Sequence, residues 1–193
     1  MTVGVCGSVA GQAMFLPSDE DGSFAEARYV TNRYSNGYGM GLGMATGGFE
    51  LGVAYDFLMD GDVSSTAMGL FASLDARRLG WITSPASLQF TGGVVINEST
   101  LGFAFGPTVY VGLINPIGWM MYIHGGVTVL EGFDTGETGQ YPANLGASLG
   151  YRSSGVIVAA NLVAVFNKQV TTYSISLSLT FRKPQKPRFD DDF

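Results

Sequence analysis

From Tyr38 onward, large apolar residues occupy every second position of the chain. Tyr38-Gly39-Met40-Gly41-Leu42-Gly43-Met44-Ala45 alternates bulky with tiny side chains. Beyond Thr46-Gly47-Gly48 the pattern resumes, with Phe49, Leu51, Val53, Tyr55 and Phe57 set against Glu50, Gly52, Ala54 and Asp56. A period of two puts the two sets on opposite faces of a strand, and the intervening glycines predict a tight hairpin turn.

The same reading continues downstream. Met68, Leu70, Ala72 and Leu74 share one face, as do Leu88, Phe90, Gly92, Val94 and Ile96 in the next segment. Leu101, Phe103, Phe105, Pro107, Val109, Val111 and Leu113 follow, and after Asn115-Pro116 come Ile117, Trp119, Met121, Ile123, Val127 and Val129. Leu145, Ala147, Leu149 and Tyr151 precede a turn at Arg152 to Gly155, and Val156 to Phe166 follows it. The last set, Tyr173, Ile175, Leu177, Leu179 and Phe181, is interleaved with Thr172, Ser174, Ser176, Ser178 and Thr180. These make nine strands. A tenth is expected at Phe24 to Tyr34, joined to Tyr38 through Asn36-Gly37, a pair typical of type I′ turns. Most spans hold roughly 9 to 11 residues, the length at which a tilted strand crosses hydrocarbon. Single-chain bacterial barrels have even strand numbers with both ends on one side. The predicted fold class is therefore all-β, an antiparallel up-and-down transmembrane β-barrel of ten strands, with eight and twelve as the neighbouring even counts. Residues 1–23 are set apart as an N-terminal segment, 24–181 as the barrel and 182–193 as a charged tail.

Charge selects lipid as the medium around the apolar face. Charged residues form 13% of the chain, about half the usual share, and of 10 basic and 16 acidic residues only 13 lie between Tyr34 and Phe181. No run approaches the roughly 18 to 20 apolar residues of a membrane helix; the longest, Val156 to Phe166, has 11 and contains Asn161. A soluble barrel with the large residues as its core would show a nearly uncharged exterior of Gly, Ala, Ser and Thr. With lipid outside, Glu50, Asp56, Asp75, His124 and Arg152 all fall on the inward face, and the apolar face carries no charge within the spans. A net charge of −6 leaves no basic face for nucleic acid. The single cysteine, Cys6, can make no internal disulfide and has no metal-ligand neighbours. The apolar stretch Val3 to Ala13 around it reads either as the end of a secretory signal or as an extra N-terminal strand.

Aromatic placement supports the lipid assignment. If Phe181 ends the last strand on the periplasmic side, Phe49, Trp119 and Tyr151 join it in one girdle. Tyr38, Phe57, Phe103, Phe133, Phe166 and Tyr173 then collect at the opposite rim. Two aromatic belts around an aliphatic band are the membrane-interface arrangement. On these residues the stretch from Phe24 to Phe181 resembles bacterial outer-membrane β-barrels. The most specific element is the last strand: Tyr173, Ile175, Leu177, Leu179 and Phe181 are similar to the C-terminal signal by which that family's barrel assembly machinery recognises its clients. The resemblance implies an integral outer-membrane location and contact with membrane lipid, lipopolysaccharide included. The family usually stops at the terminal phenylalanine, whereas here Arg182 to Phe193 follow, basic with two prolines and then Asp190-Asp191-Asp192. This run is expected to be a periplasmic tail able to dock a protein partner.

Candidate chemistry is sparse. Glu50, Asp56, Asp75, His124, Asn144, Arg152 and Asn161 are expected to line the lumen. The resembled family includes lipid A deacylases that use a histidine, a serine and an acid at the lipid-facing rim, with histidine and serine two positions apart. Here that position is Gly126 and His124 faces the lumen, so no catalytic residue is expected. Glu50 and Asp56 are separated by roughly 20 Å of strand, beyond the about 10 Å of paired acid–base carboxyls. They are expected to form salt links to Arg28 or Arg152, or otherwise to line a cation-preferring passage. The Gly39 to Gly43 run has no helix signal after it, which leaves it as the inner face of a strand rather than a nucleotide loop. Asp60-Gly61-Asp62 and Asp134 to Glu137 read as solvated acidic loops. No cofactor, metal or nucleic acid is implied.

Three function classes follow. Short loops favour a non-enzymatic structural or interaction barrel, as one subunit of an envelope complex. Small inward residues, among them Gly39, Gly41, Gly43, Ala54, Gly69, Gly126, Gly146 and Ser148, favour a narrow pore for small solutes. The third class is a barrel enzyme acting on lipid, or a soluble β-protein.

Overall fold

A strand in lipid presents unpaired N–H and C=O groups along both edges, and only a neighbour on each side satisfies them. The computed structural model, which describes residues 16, 20–82, 86–97, 100–114, 118–132, 140–168 and 170–184, meets this demand with one antiparallel sheet closed on itself. Its strands are β1 (Glu20–Thr31), β2 (Asn36–Thr46), β3 (Phe49–Asp60), β4 (Val63–Asp75), β5 (Ala86–Asn97), β6 (Thr100–Ile114), β7 (Trp119–Val127), β8 (Val129–Gly132), β9 (Ala143–Arg152), β10 (Val156–Phe166) and β11 (Thr171–Pro184). Successive crossings pair with each other, and β1 closes the ring against β11, from Glu20 opposite Pro184 to Thr31 opposite Tyr173. β7 and β8 both pair with β6 and form one interrupted crossing. The result is an up-and-down barrel of ten crossings.

The interruption has a covalent cause. The β6 ladder runs to Thr108 opposite Gly126 and resumes at Phe105 opposite Val129, skipping Pro107, which has no N–H to donate. On its other side Thr128 donates its N–H to the carbonyl of Pro142 at 2.9 Å, so the break leaves this amide satisfied.

Burial alternates along the strands as the period of two requires. Met40, Leu42, Leu51, Leu70, Val111, Leu162 and Leu177 are exposed on the outer face. So are Tyr38, Phe49, Phe103, Trp119, Tyr151, Phe166, Tyr173 and Phe181, with Phe57 half-buried. Trp119 stands opposite Tyr151 in register, ring centroids 5.0 Å apart. Phe49, Trp119, Tyr151 and Phe181 fall at the end that carries the chain termini and the others toward the opposite end.

Turn chemistry corrects the sequence reading at one hairpin. Asn36 and Gly37 already belong to the β1–β2 ladder, opposite Thr31 and Val30. The reversal is made by Asn32 to Ser35, where Asn32 Oδ1 accepts the N–H groups of Tyr34 (2.8 Å) and Ser35 (2.9 Å). A type I′ turn on Asn36-Gly37 would need a positive φ at Asn36, and no described non-glycine residue has one. The side-chain turn built on Asn32 takes its place. Gly37 is used instead for close approach, since a Cβ there would lie 2.1 Å from the carbonyl oxygen of Phe57. Gly47 (φ 53°) and Gly48 (φ 98°) do form the two-residue turn between β2 and β3.

The barrel is also longer at its seam than the expected 24–181. β1 begins at Glu20 and β11 runs to Pro184, because the Glu20 carboxylate holds the Arg182 guanidinium and keeps the charged ends paired. Arg182 to Pro184 are therefore strand, not tail. Residues 185–193, the segment 1–15 with Cys6, the Asn115-Pro116 turn, Phe133 and Asp134 to Glu137 lie outside the described residues.

The outward parity generates a direct check. Leu70→Arg or Val111→Arg should destabilise the folded barrel in lipid by about 2 to 4 kcal/mol if near the bilayer midplane, whereas the inward Thr108→Ser should be far milder. Urea titration of heat-modifiable gel mobility in lipid vesicles measures both, and equal damage would mean the faces are reversed.

Candidate functional site

Lumen chemistry begins from the space left by small residues. A Cβ at Gly39 would lie 2.1 Å from Asp56 Oδ1 and 2.6 Å from Arg28 Nε; at Gly43 and Gly52 it would meet the rings of Phe24 and Phe71 at 2.4 and 2.3 Å. At Gly146 it would lie 2.3 Å from the His124 ring. These glycines are seats for large inward side chains contributed by neighbouring strands. At Gly39, Gly43 and Gly146 the inner face is filled where the sequence reading left space.

Three levels occupy the lumen. At the end that carries the termini, the β4–β5 connection folds inward as a single helical turn: Leu79 donates to Asp75 O at 3.0 Å and Trp81 to Ala76 O at 2.9 Å. Asp75 caps it, its Oδ1 accepting from Arg77 N (2.9 Å), Arg78 N (3.1 Å) and Ser87 Oγ (2.6 Å). The Arg78 guanidinium is fully buried, donates to the Glu20 carbonyl and sits 4.0 Å from Asp21 Oδ1. Burial presses its pKa below the ordinary arginine value, opposed by Asp75, Asp21 and Glu50. Arg77 reaches the carbonyl of Leu16 at 3.3 Å. Leu16 itself is 1% exposed and packs in one cluster with Ala45, Met120, Ile157 and Ala159.

Just inside this mouth, Glu50 accepts from Gln89 Nε2 (3.0 Å) and Ser73 Oγ (3.4 Å), three residues on consecutive strands. Phe24 and Phe71, ring centroids 6.4 Å apart, pack beside them with Ala54. Toward the other end Arg28 clamps Asp56 with two hydrogen bonds, Nε to Oδ1 at 2.8 Å and Nη2 to Oδ2 at 2.7 Å, and Glu26 lies 3.7 Å from Arg28 Nη1. Both partners of the clamp are buried, a geometry that offsets the desolvation of two charges. Elsewhere on the inner face the His124 ring packs tilted against Tyr110, centroids 5.2 Å apart, and Asn161 Nδ2 donates to Ser176 Oγ at 3.0 Å.

Glu50, Asp56, Asp75, His124 and Asn161 are thus buried on the inner face and Asn144 is half-buried there. Arg152 stands apart: its side chain is 39% exposed at the mouth, where it pairs with Glu20 at 3.1 Å. The end of β9 carries it past the lumen, which corrects its placement among the lining residues. Glu50 and Asp56 do not form one site; each has its own partners. Sequence reasoning missed Glu26, Ser73, Gln89, Arg77, Arg78 and Glu20. For the mouth a signal was present, since Asp75 opening and Gly80 (φ 76°) closing a short segment are helix-cap residues. Among the described residues no group of three or more His, Cys, Asp or Glu could hold a metal ion.

No family model and no curated protein matches the chain. Solved structures do. The β domain of the Bordetella autotransporter Brka is similar at 10% identity and TM-score 0.52, covering 83% of this chain and 98% of that one. The KdgM porin (9% identity, TM-score 0.46, 82% and 99% covered) and the outer membrane enzyme PagL (16%, 0.42, 83% and 98%) are also similar. At these identities the likeness is one of fold alone. With its closed ladder, apolar exterior and aromatic belts, the chain has the fold of a small outer-membrane β-barrel.

Proposed function

We propose that the protein is a non-enzymatic, non-conducting barrel serving as a structural or interaction component of the outer membrane. One observation carries this reading: the lumen is occupied level by level, with the inward turn at Asp75 and buried Leu16 at one mouth, Glu50–Gln89–Ser73 inside it, and the Arg28–Asp56 clamp beyond. A conducting path would have to displace paired buried charges. Catalysis is disfavoured because Gly126 stands where the resembled deacylases hold serine, and His124 is buried over Gly146 rather than set at a lipid-facing rim.

Its partners in this reading are the membrane lipids around the exposed face, lipopolysaccharide among them, and the barrel assembly machinery, which would engage the Tyr173 to Phe181 strand. The chain beyond Pro184 would lie in the periplasm and offer Asp190 to Phe193 to a protein partner.

Reconstituted into planar bilayers, the protein should insert without discrete conductance steps; steps of reproducible size would overturn the reading. Asp56→Ala, which leaves the buried guanidinium only Glu26 as an acidic partner, should destabilise by up to about 3 to 5 kcal/mol, and the combined change Arg28→Met, Asp56→Leu and Glu26→Gln should recover most of it. Denaturant titration of both variants decides whether the clamp is a packing element of the lumen.

For the chain ends, Phe181→Ala should slow assembly in cells, since it removes the last outward aromatic of the seam strand. Deleting residues 185–193 should leave heat-modifiable mobility unchanged while abolishing any partner pull-down. Pulse-chase of folded against unfolded bands reads the first effect; a truncation that unfolds the barrel would refute the second.

A further inference from the structure

Positive charge is divided unequally between the two ends of the barrel. Of ten lysines and arginines, Arg28 is inside, and Arg77, Arg78, Arg152, Arg182 and Lys183 lie at the end that carries the termini, with Lys186 and Arg188 following in sequence. The opposite rim has Arg33 and Lys168. These two line one cavity of about 620 Å³, set between the β1–β2 and β10–β11 turns and shared with Asn32, Asn167, Thr171 and Tyr173; among the described residues no acidic one lines it. Neither cation forms an ion pair with a described residue.

Both walls are held by their own side chains. Asn32 Oδ1 accepts two backbone N–H groups of its turn and its Nδ2 donates to Ser35 Oγ at 2.9 Å. Asn167 Oδ1 accepts the Lys168 N–H at 2.7 Å while its Nδ2 donates to Gln140 Oε1 at 2.8 Å. The Arg33 guanidinium lies 4.2 Å from the centre of the Tyr34 ring. Below the cavity, on the outer face, the Tyr29 and Tyr38 rings pack tilted against each other, centroids 5.4 Å apart, and exposed Tyr173 leads down β11 to exposed Ile175 and Leu177.

Cations at the rim, then a tyrosine collar, then an aliphatic wall match a molecule graded in the same order. We infer that this cavity binds the phosphorylated headgroup of an outer-leaflet glycolipid, with Arg33 and Lys168 on the phosphate and the acyl chains along β1 and β11. Guanidinium supplies a paired donor fork and ammonium a mobile point charge, the two usual phosphate ligands, and tyrosines sit at headgroup level. The inference rests on the outer-membrane reading above, with this end facing outward.

The test uses the full chain in detergent and native mass spectrometry with three probes: a short-chain phosphorylated glycolipid, its dephosphorylated form and inorganic phosphate. The wild type should retain the phosphorylated glycolipid at least tenfold more tightly than the other two. Arg33→Ala with Lys168→Ala should lose that preference, while Arg33→Lys keeps most of it. Equal retention of the two glycolipids by the wild type, which needs no variant to fold, overturns the site. Equal binding of inorganic phosphate overturns the lipid assignment. Orientation is read separately in intact cells, by labelling Asp62→Cys in a Cys6→Ser background with an impermeant maleimide. Absent labelling sinks the outward reading, whereas labelling without glycolipid preference sinks this site alone.

Discussion

Closure of the backbone ladder between β1 and β11 is the constraint on which the rest of this barrel depends. Each unsatisfied N–H or C=O at the seam would cost several kcal/mol in hydrocarbon, so the first and last strands must meet along their full length. They do so over twelve pairs, from Glu20–Pro184 to Thr31–Tyr173. At the end of the seam, where the apolar belt gives out, ionic contacts take over. Glu20 gathers Arg182 and Arg152, and Arg182 also donates to the carbonyl of Ser153 at 2.8 Å. Strand ends that would fray in water are thereby joined to the β9–β10 turn.

A closed ring of ten crossings has a narrow interior, and that narrowness dictates the composition of the inner face. Several large residues point inward because the strand beside them offers no side chain: Gly39, Gly43, Gly52 and Gly146 lie against Arg28–Asp56, Phe24, Phe71 and His124. A glycine-rich inward face therefore signals interdigitation as readily as it signals a passage. Charge inside such a space must be paired where it stands, since the cost of an isolated buried ion exceeds what the fold can carry. The bidentate Arg28–Asp56 geometry satisfies that condition.

What was legible in the sequence follows from which forces repeat. Lipid acts on every second residue of every strand, so the period of two identified the outer face and the aromatic belts from Tyr38 to Phe181. Lumen contacts do not repeat: Arg28 meets Asp56 and Gln89 meets Glu50 across 28 and 39 residues of chain, and nothing local announces them. Turns were read by dipeptide, which succeeded at Gly47-Gly48 and failed at Asn36-Gly37 because Asn32 offered a side-chain acceptor four residues earlier. The tail reads as non-strand from its charge and prolines, and Arg182 departs from that reading because its partner, Glu20, lies 162 residues away.

The seam and the β4–β5 turn at this mouth are one structure. Arg78, in the inward turn, donates to the backbone carbonyl of Glu20, while the side chain of the same residue holds Arg182 and Arg152. Arg77, next to it, holds the carbonyl of Leu16, and Leu16 fills the space beside Gly22 of β1, where a Cβ would lie 3.0 Å from its Cδ1. The contacts that hold the turn at this mouth are thus also contacts of the strand that closes the ring. Removing Arg77 and Arg78 would take partners from Leu16 and Glu20 and loosen the one seam that lipid does not allow to open. Order at this mouth is tied to closure itself, since the groups that anchor the turn belong to the physical requirement that made a barrel necessary.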